Sequence, residues 1–311
     1  MRYTLAPLAF LALSSPLFSA SNSVQGEAET PTQQAESDPL GYEVKDGKTT
    51  IAGIEFEVGP CVGHLGTYAE INVPAGLLFS GRKGTVDFLT LNQNPTGDSE
   101  FGMVLEPEVG WFVIFSYDES GYVKDDDKDE LDPDDLLDVL KQGTEYGNEV
   151  RKQRGWAALE IVGWHKAPFY DPKTNDLTWA TILRSEGHDT INWSTKLLGR
   201  TGTMNVDLVV GPESIDAAMP KFENLMGGYA YADGNRYAQF KPGDKIAEYG
   251  LAALVAGGAG AVAFKTGLFG KLWGFIGKLW YLILAGLAVV FSGIKKMLGI
   301  GKKDAGETGG S

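Results

Sequence analysis

Cysteine is nearly absent from this 311-residue sequence: Cys61 stands alone. One thiol makes no internal disulfide, and it excludes a cysteine-rich zinc or iron–sulfur site. Histidine is scarce too. His64, His165 and His188 are scattered and show no H-E-x-x-H spacing, which leaves no signature of a zinc-dependent hydrolase. Basic residues are outnumbered, 27 against 41 acidic, for a formal charge of −14. A nucleic-acid partner, which needs a basic face, is therefore excluded. No G-x-S-x-G elbow occurs, and G-G-A-G at 257–260 has no P-loop lysine and sits in an apolar stretch.

Hydrophobic residues make up 43% of the chain, enough for a sizeable core, and the ends carry special patterns. Arg2, the apolar run Thr4–Leu13 and the small residues Ser19, Ala20 and Ser21 read as a secretory signal over residues 1–20. The alternative is an uncleaved N-terminal anchor. Residues 21–43 are rich in Ser, Gln, Glu, Thr and Pro, a composition that does not repay ordering entropy, and read as a disordered linker.

Residues 246–296 read as a membrane-anchoring region. Tyr249–Phe264 runs 16 residues without a charge, and Leu272–Ile294 runs 23 residues with Lys278 as its only charge. As a helix the second stretch reaches about 34 Å and the first only about 24 Å, against a hydrocarbon core of about 30 Å. Trp273, Trp280 and Tyr281 suit a lipid interface. Two topologies fit. If only 272–294 spans, Lys295, Lys296, Lys302 and Lys303 of the polar tail (297–311 and its approach) lie in the cytoplasm, as the positive-inside rule prefers. If both stretches span, the tail returns outside. The stripe Ala253, Gly257, Ala261 suits close helix packing and leaves open an accessory subunit of a membrane complex. The balance favours one span, with the first stretch in the interface or packed on a partner; a buried soluble hairpin is the remaining alternative.

Residues 44–245 form one domain-sized block. Thr49–Val58 is strand-like with a break at Gly53, and Trp111–Tyr117 is strongly β-prone. Asp118–Gly121 reads as a turn, with Tyr122-Val123 starting a return strand. Asp132 as N-cap, Pro133 at the first position and Asp134 and Asp135 at the positive dipole end predict a helix carrying Leu136, Leu137 and Leu140 and running to Arg154. Strand-like runs follow at 156–164, 177–183, 190–198 and 203–210, then a helix at 212–226. The expectation is an α+β fold: a mostly antiparallel sheet with two or so packed helices, followed by C-terminal transmembrane segment(s).

Several residues are candidates for chemistry. Asp125, Asp127 and Asp129 alternate as calcium ligands do, but the sixth and twelfth positions from Asp125 hold Glu130 and Leu136, so this is no EF-hand, and an acidic run is commonly a solvated face. Calcium is the one cofactor it suggests. Glu149, Arg151 and Arg200 are candidate ligand-binding residues, Arg200 as an anion contact or as one half of a salt bridge to Glu149. Glu149 and Asp171 are the carboxylate pair a hydrolase would need. The five tryptophans of the body fall in expected strands and read mainly as core.

A set of blocks carries a resemblance. G-Y-V-K-D-D-D at 121–127, N-E-V-R at 148–151, G-W-H-K-A-P-F-Y-D at 163–171, L-T-W-A at 177–180, I-N-W-S-T-K-L-L-G-R-T-G at 191–202 and G-D-K-I-A-E-Y-G at 243–250 are collinear. Together they resemble a bacterial domain-of-unknown-function family described as uncharacterised membrane-anchored proteins. Ala167, Trp193 and Lys196 stand where that family usually has proline, tyrosine and arginine. The resemblance implies a secreted, C-terminally anchored layout and transfers no catalytic residue. The sequence thus leads to a membrane-anchored extracytoplasmic protein on the periplasmic face of the inner membrane. It meets the lipid bilayer through its C-terminal segment and binds or scaffolds an envelope protein; an envelope hydrolase is the rival.

Overall fold

The computed structural model describes residues 42–108 and 110–257. The signal, most of the linker and the stretch 272–294 lie outside them. The chain divides into a unit of residues 1–261 and a second of 262–311, and all described residues belong to the first.

The described residues form twelve strands and four helices. The strands are β1 (Lys48–Ile51), β2 (Ile54–Val58), β3 (Cys61–Leu65), β4 (Ala69–Val73), β5 (Leu78–Gly81), β6 (Glu100–Glu106), β7 (Trp111–Asp118), β8 (Glu160–Asp171), β9 (Asp176–Ser185), β10 (His188–Leu198), β11 (Thr203–Val210) and β12 (Tyr229–Tyr231). The helices are α1 (Arg82–Leu91), α2 (Pro133–Gln153), α3 (Ile215–Met226) and α4 (Leu251–Val255). Nine strands form one antiparallel sheet in the order β1-β2-β5-β6-β7-β11-β10-β9-β8, and β12-β4-β3 form a second, small sheet.

Turn chemistry sets the hairpins. Ala52-Gly53 and Glu186-Gly187 both have positive φ at two consecutive residues, the twist a two-residue hairpin loop requires. They close β1 on β2 and β9 on β10. The outer strand β8 is irregular: its pairing with β9 slips between Ile161 and Gly163, Trp164 and Lys166, and Lys166 and Phe169.

Side-chain alternation explains the layers. β7 is buried over seven successive residues because both its faces are covered. On one face Trp111, Val113 and Phe115 join Met204, Val206 and Leu208 under β3, β4 and α3, where Leu65, Ile71, Phe222 and Leu225 close the core. On the other, Phe112, Ile114 and Val209 meet Phe88 and Leu89 of α1. Further along that face Leu177, Trp179 and Leu198 meet Leu136 of α2 and Leu251, Leu254 and Val255 of α4. Between these two apolar clusters the register sets a band of buried polar residues side by side: Ser116 on β7, Asn205 and Asp207 on β11, and Ser194 (half-buried) and Lys196 on β10.

The mostly antiparallel α+β expectation holds. The helix predicted from Asp132 is α2, with the Asp132 carboxylate accepting the Asp134 and Asp135 N–H groups at 3.0 and 3.1 Å. The expected return strand at Tyr122 is not formed: β7 pairs with β6 and β11, and Tyr122 bridges in parallel to Ile246. A Cβ on Gly121 (φ +103°) would sit 2.7 Å from the Lys245 carbonyl oxygen, so this close approach needs glycine. The domain also runs past the expected boundary at 245, through α4. Among the described residues no helix is long and apolar enough to cross a membrane.

Candidate functional site

Three of the polar residues singled out by the sequence, Arg200, Asp125 and Asp127, lie on segments that meet at one corner of the domain, built by the loop after β7, the β10–β11 turn and the chain leading into α4. The turn supplies Arg200. Its Nε and Nη2 donate to the two oxygens of Asp244 at 2.6 and 2.7 Å, and Nη1 donates to the Gly234 carbonyl at 3.3 Å. The fork is thus on Asp244 and not on Glu149. Asp244 also accepts the Lys241 N–H at 2.7 Å. The guanidinium first, and that N–H second, hold its carboxyl down at about 2.

Tyrosines tie the remaining segments together. Tyr122 donates its N–H to the Lys245 carbonyl at 2.8 Å and accepts the Ala247 N–H at 2.9 Å. Its ring stacks on Tyr237 and lies against Phe240, with centroids 4.4 and 4.3 Å away. Tyr237 donates to the Val123 carbonyl at 2.9 Å, and Tyr249 to Asp118 at 2.7 Å. Tyr170, from β8, donates to Asp125 at 3.1 Å. Burial, and then the neighbouring carboxylate, pushes the Tyr170 hydroxyl up. Tyr68 donates to Glu119, and that bond, aided by burial, pushes it up to about 12. The Tyr68, Tyr170, Tyr237 and Tyr249 hydroxyls, all raised, therefore serve as neutral donors at physiological pH.

The buried Asp127 faces the start of α4. Its carboxylate accepts the Leu251 N–H at 3.0 Å and the Ala252 N–H at 3.5 Å, so a distant residue caps this short helix. A Cβ on Gly250 would lie 2.3 Å from that carboxylate.

Of the calcium candidates, Asp125 receives Tyr170, Asp127 caps α4, and Asp129 is exposed in a 3-10 turn. Among the described residues no group of three or more His, Cys, Asp or Glu is placed to hold a metal ion. Arg151 lies elsewhere, buried at the end of α2. Its Nε donates to the Ala157 carbonyl at 2.5 Å and its Nη1 to the Gln93 carbonyl at 3.1 Å, and burial lowers its pKa.

Glu149 and Asp171 are not brought together. α2 and β8 run antiparallel: Trp164 Nε1 donates to the Pro133 carbonyl at 3.0 Å, and Asn148 exchanges hydrogen bonds with Leu159. Glu149 is exposed beside Leu159, while Asp171 lies beyond Trp164, at the end of β8, where it accepts the Lys173 N–H at 2.9 Å. Twelve strand residues separate the two levels, on the order of 30 Å or more, too far for one cleft. Across the β8–β9 turn Asp176 faces Asp171, and burial, reinforced by that neighbour, raises its carboxyl to about 6.

Asp118, Asp244 and Tyr249 carry much of this corner and were not singled out as site residues. Asp244 and Tyr249 do lie inside the block at 243–250. The signal was there, but only the tertiary pairing of 121–127 and 199–202 with 243–251 gives it meaning. Of the stripe Ala253, Gly257, Ala261, Ala253 is buried in the domain and Ala261 lies outside the described residues.

Fold and corner define a mostly antiparallel α+β domain whose own C-terminal lead is bonded into it. The chain belongs to the family described as "Protein of unknown function (DUF2167)", which matches residues 59–288. No curated protein matches the sequence. Solved structures with partial likeness include cyanobacterial PsbP (CyanoP) from Synechocystis sp. PCC 6803, with TM-score 0.32, 14% identity and 53% of this chain and 86% of that one covered. The Ran-binding protein Mog1p of Saccharomyces cerevisiae has TM-score 0.28 and 10% identity, covering 56% of this chain and 93% of that one.

Proposed function

We propose that this protein is an extracytoplasmic domain of the bacterial envelope, anchored through its C-terminal apolar segment, that binds or scaffolds another envelope component. One observation carries the reading. Arg200 and Asp127, two of the groups the sequence offers for chemistry, are spent on fixing the corner from which the apolar C-terminal sequence departs, Arg200 on Asp244 and Asp127 on α4, with Tyr249 on Asp118 beside them. Such a corner holds the chain at the base of an anchored domain better than it serves a reaction. The charge division supports the reading: 39 acidic and 19 basic residues in 21–248 against two acidic and seven basic in 249–311. An acidic body with a basic end suits a domain held off an anionic membrane.

The test is quantitative co-purification of the full chain from chemically cross-linked membranes, beside a control lacking residues 44–245. A companion captured only with the domain is the expected result. Recovery of the protein in the soluble fraction overturns the anchoring, and a membrane-bound chain with no companion above control overturns the scaffold role.

A further inference from the structure

The uncharged run Tyr249–Phe264 looks like a first membrane span, and a hairpin of two spans would return the basic tail to the side of the domain. The structure commits the start of that run elsewhere. Leu251, Leu254 and Val255 are 0%, 6% and 2% exposed, packed with Leu136, Trp179 and Leu198. The N–H groups of Leu251 and Ala252 are held by Asp127, and Gly250 lies too close to that carboxylate to carry a side chain without displacing it. Tyr249, two residues earlier, is bonded to Asp118. Drawing this segment into lipid would open the α2–α4 cluster and leave a buried carboxylate without its N–H partners, both unfavourable.

Only residues 256–264 of the run then remain, nine residues that reach about 14 Å as a helix, roughly half of a hydrocarbon core. A span continued past them would carry Lys265 and Lys271 through its interior, where lysine is among the most costly residues. Leu272–Ile294 needs no such help.

We propose that the protein crosses the membrane once, through 272–294, with Lys295, Lys296, Lys302 and Lys303 on the side opposite the domain, and that Tyr249–Val255 is a structural part of the domain. This rests on the anchored reading above, and its test separates the two. In a Cys61→Ser background of the full chain, single cysteines are introduced as Lys173→Cys, in the exposed β8–β9 turn, and Ser311→Cys, at the tail. Each is treated with a membrane-impermeant maleimide on spheroplasts, before and after permeabilisation. One span predicts labelling of the Lys173→Cys variant in intact spheroplasts and of the Ser311→Cys variant only after permeabilisation. Labelling of both before permeabilisation overturns the single span while leaving the anchored reading intact. Protection of the Lys173→Cys variant before permeabilisation overturns the extracytoplasmic reading itself.

Discussion

Replacing Leu251 with alanine measures how far the domain owns the apolar run. Leu251 is fully buried among Val123, Leu136, Trp179 and Leu198. A buried Leu→Ala change costs the transfer of the lost methyl groups plus the cavity left behind, about 2–5 kcal/mol. The neighbours sit on α2, on β9, on β10 and in the acidic loop, four segments that cannot collapse together, which favours the upper half of that range. For a domain of this size, 1 kcal/mol moves the melting temperature by about 2–4 °C, so a fall of about 7–20 °C is expected. The assay is thermal and urea unfolding of the full chain in mild detergent, followed by tryptophan fluorescence; Trp179 lies in the affected cluster. A segment merely lying in the lipid interface would leave the domain's transition in place. A loss below about 0.5 kcal/mol, within the range of ordinary surface substitutions, refutes the packing argument.

Four further outcomes follow from the corner and its surroundings. Gly250→Ala should destabilise the domain and raise amide exchange at Leu251 and Ala252, because its methyl group meets the Asp127 carboxylate; unchanged exchange there counts against the cap. Asp127→Ala should cost about 1–2 kcal/mol by stranding the two N–H groups, and Asp127→Asn less, since its amide oxygen still accepts; equal losses would mean the carboxylate acts otherwise. Asp176 has its carboxyl raised to about 6 by burial, so its contribution to stability is fully present below about pH 4 and is lost as the pH rises through 6. Asp176→Asn should flatten that fall in a urea series across pH 4–7, and an unchanged slope refutes the assignment. Asp244 works in the opposite sense: its depressed carboxyl stabilises above its unfolded pKa and loses that contribution as the pH falls toward 2.

Much of the architecture was legible because its causes are local. The cap at Asp132, the proline after it and the leucine spacing define α2 without reference to anything distant. The run Trp111–Tyr117 is apolar but for Ser116 because its strand is covered on both faces. Other elements were not legible for the converse reason. Tyr122-Val123 reads as a strand, but its partner is the chain at 245–247, more than a hundred residues away. The small sheet β12-β4-β3 depends on a similar long-range pairing. Arg200 was recognisable as a residue needing a carboxylate, yet many carboxylates were available, and only the fold selects Asp244. Tyr249–Phe264 misleads most: a helix entering a domain core and one entering lipid use the same side chains, and what separates them here is the Asp127 cap and the packed α2 face.

The irregular register of β8 has a consequence for crowding. An outer strand normally offers a row of unpaired backbone groups to any neighbour. Along β8 three slips against β9 bend that row, and Pro168 has no N–H to offer. Domains concentrated side by side, as the proposed anchoring would hold them, would meet along an edge whose hydrogen-bonding groups do not line up for continuous ladder growth. The irregular strand works as a built-in stop against lateral polymerisation, so density on a surface need not bring aggregation.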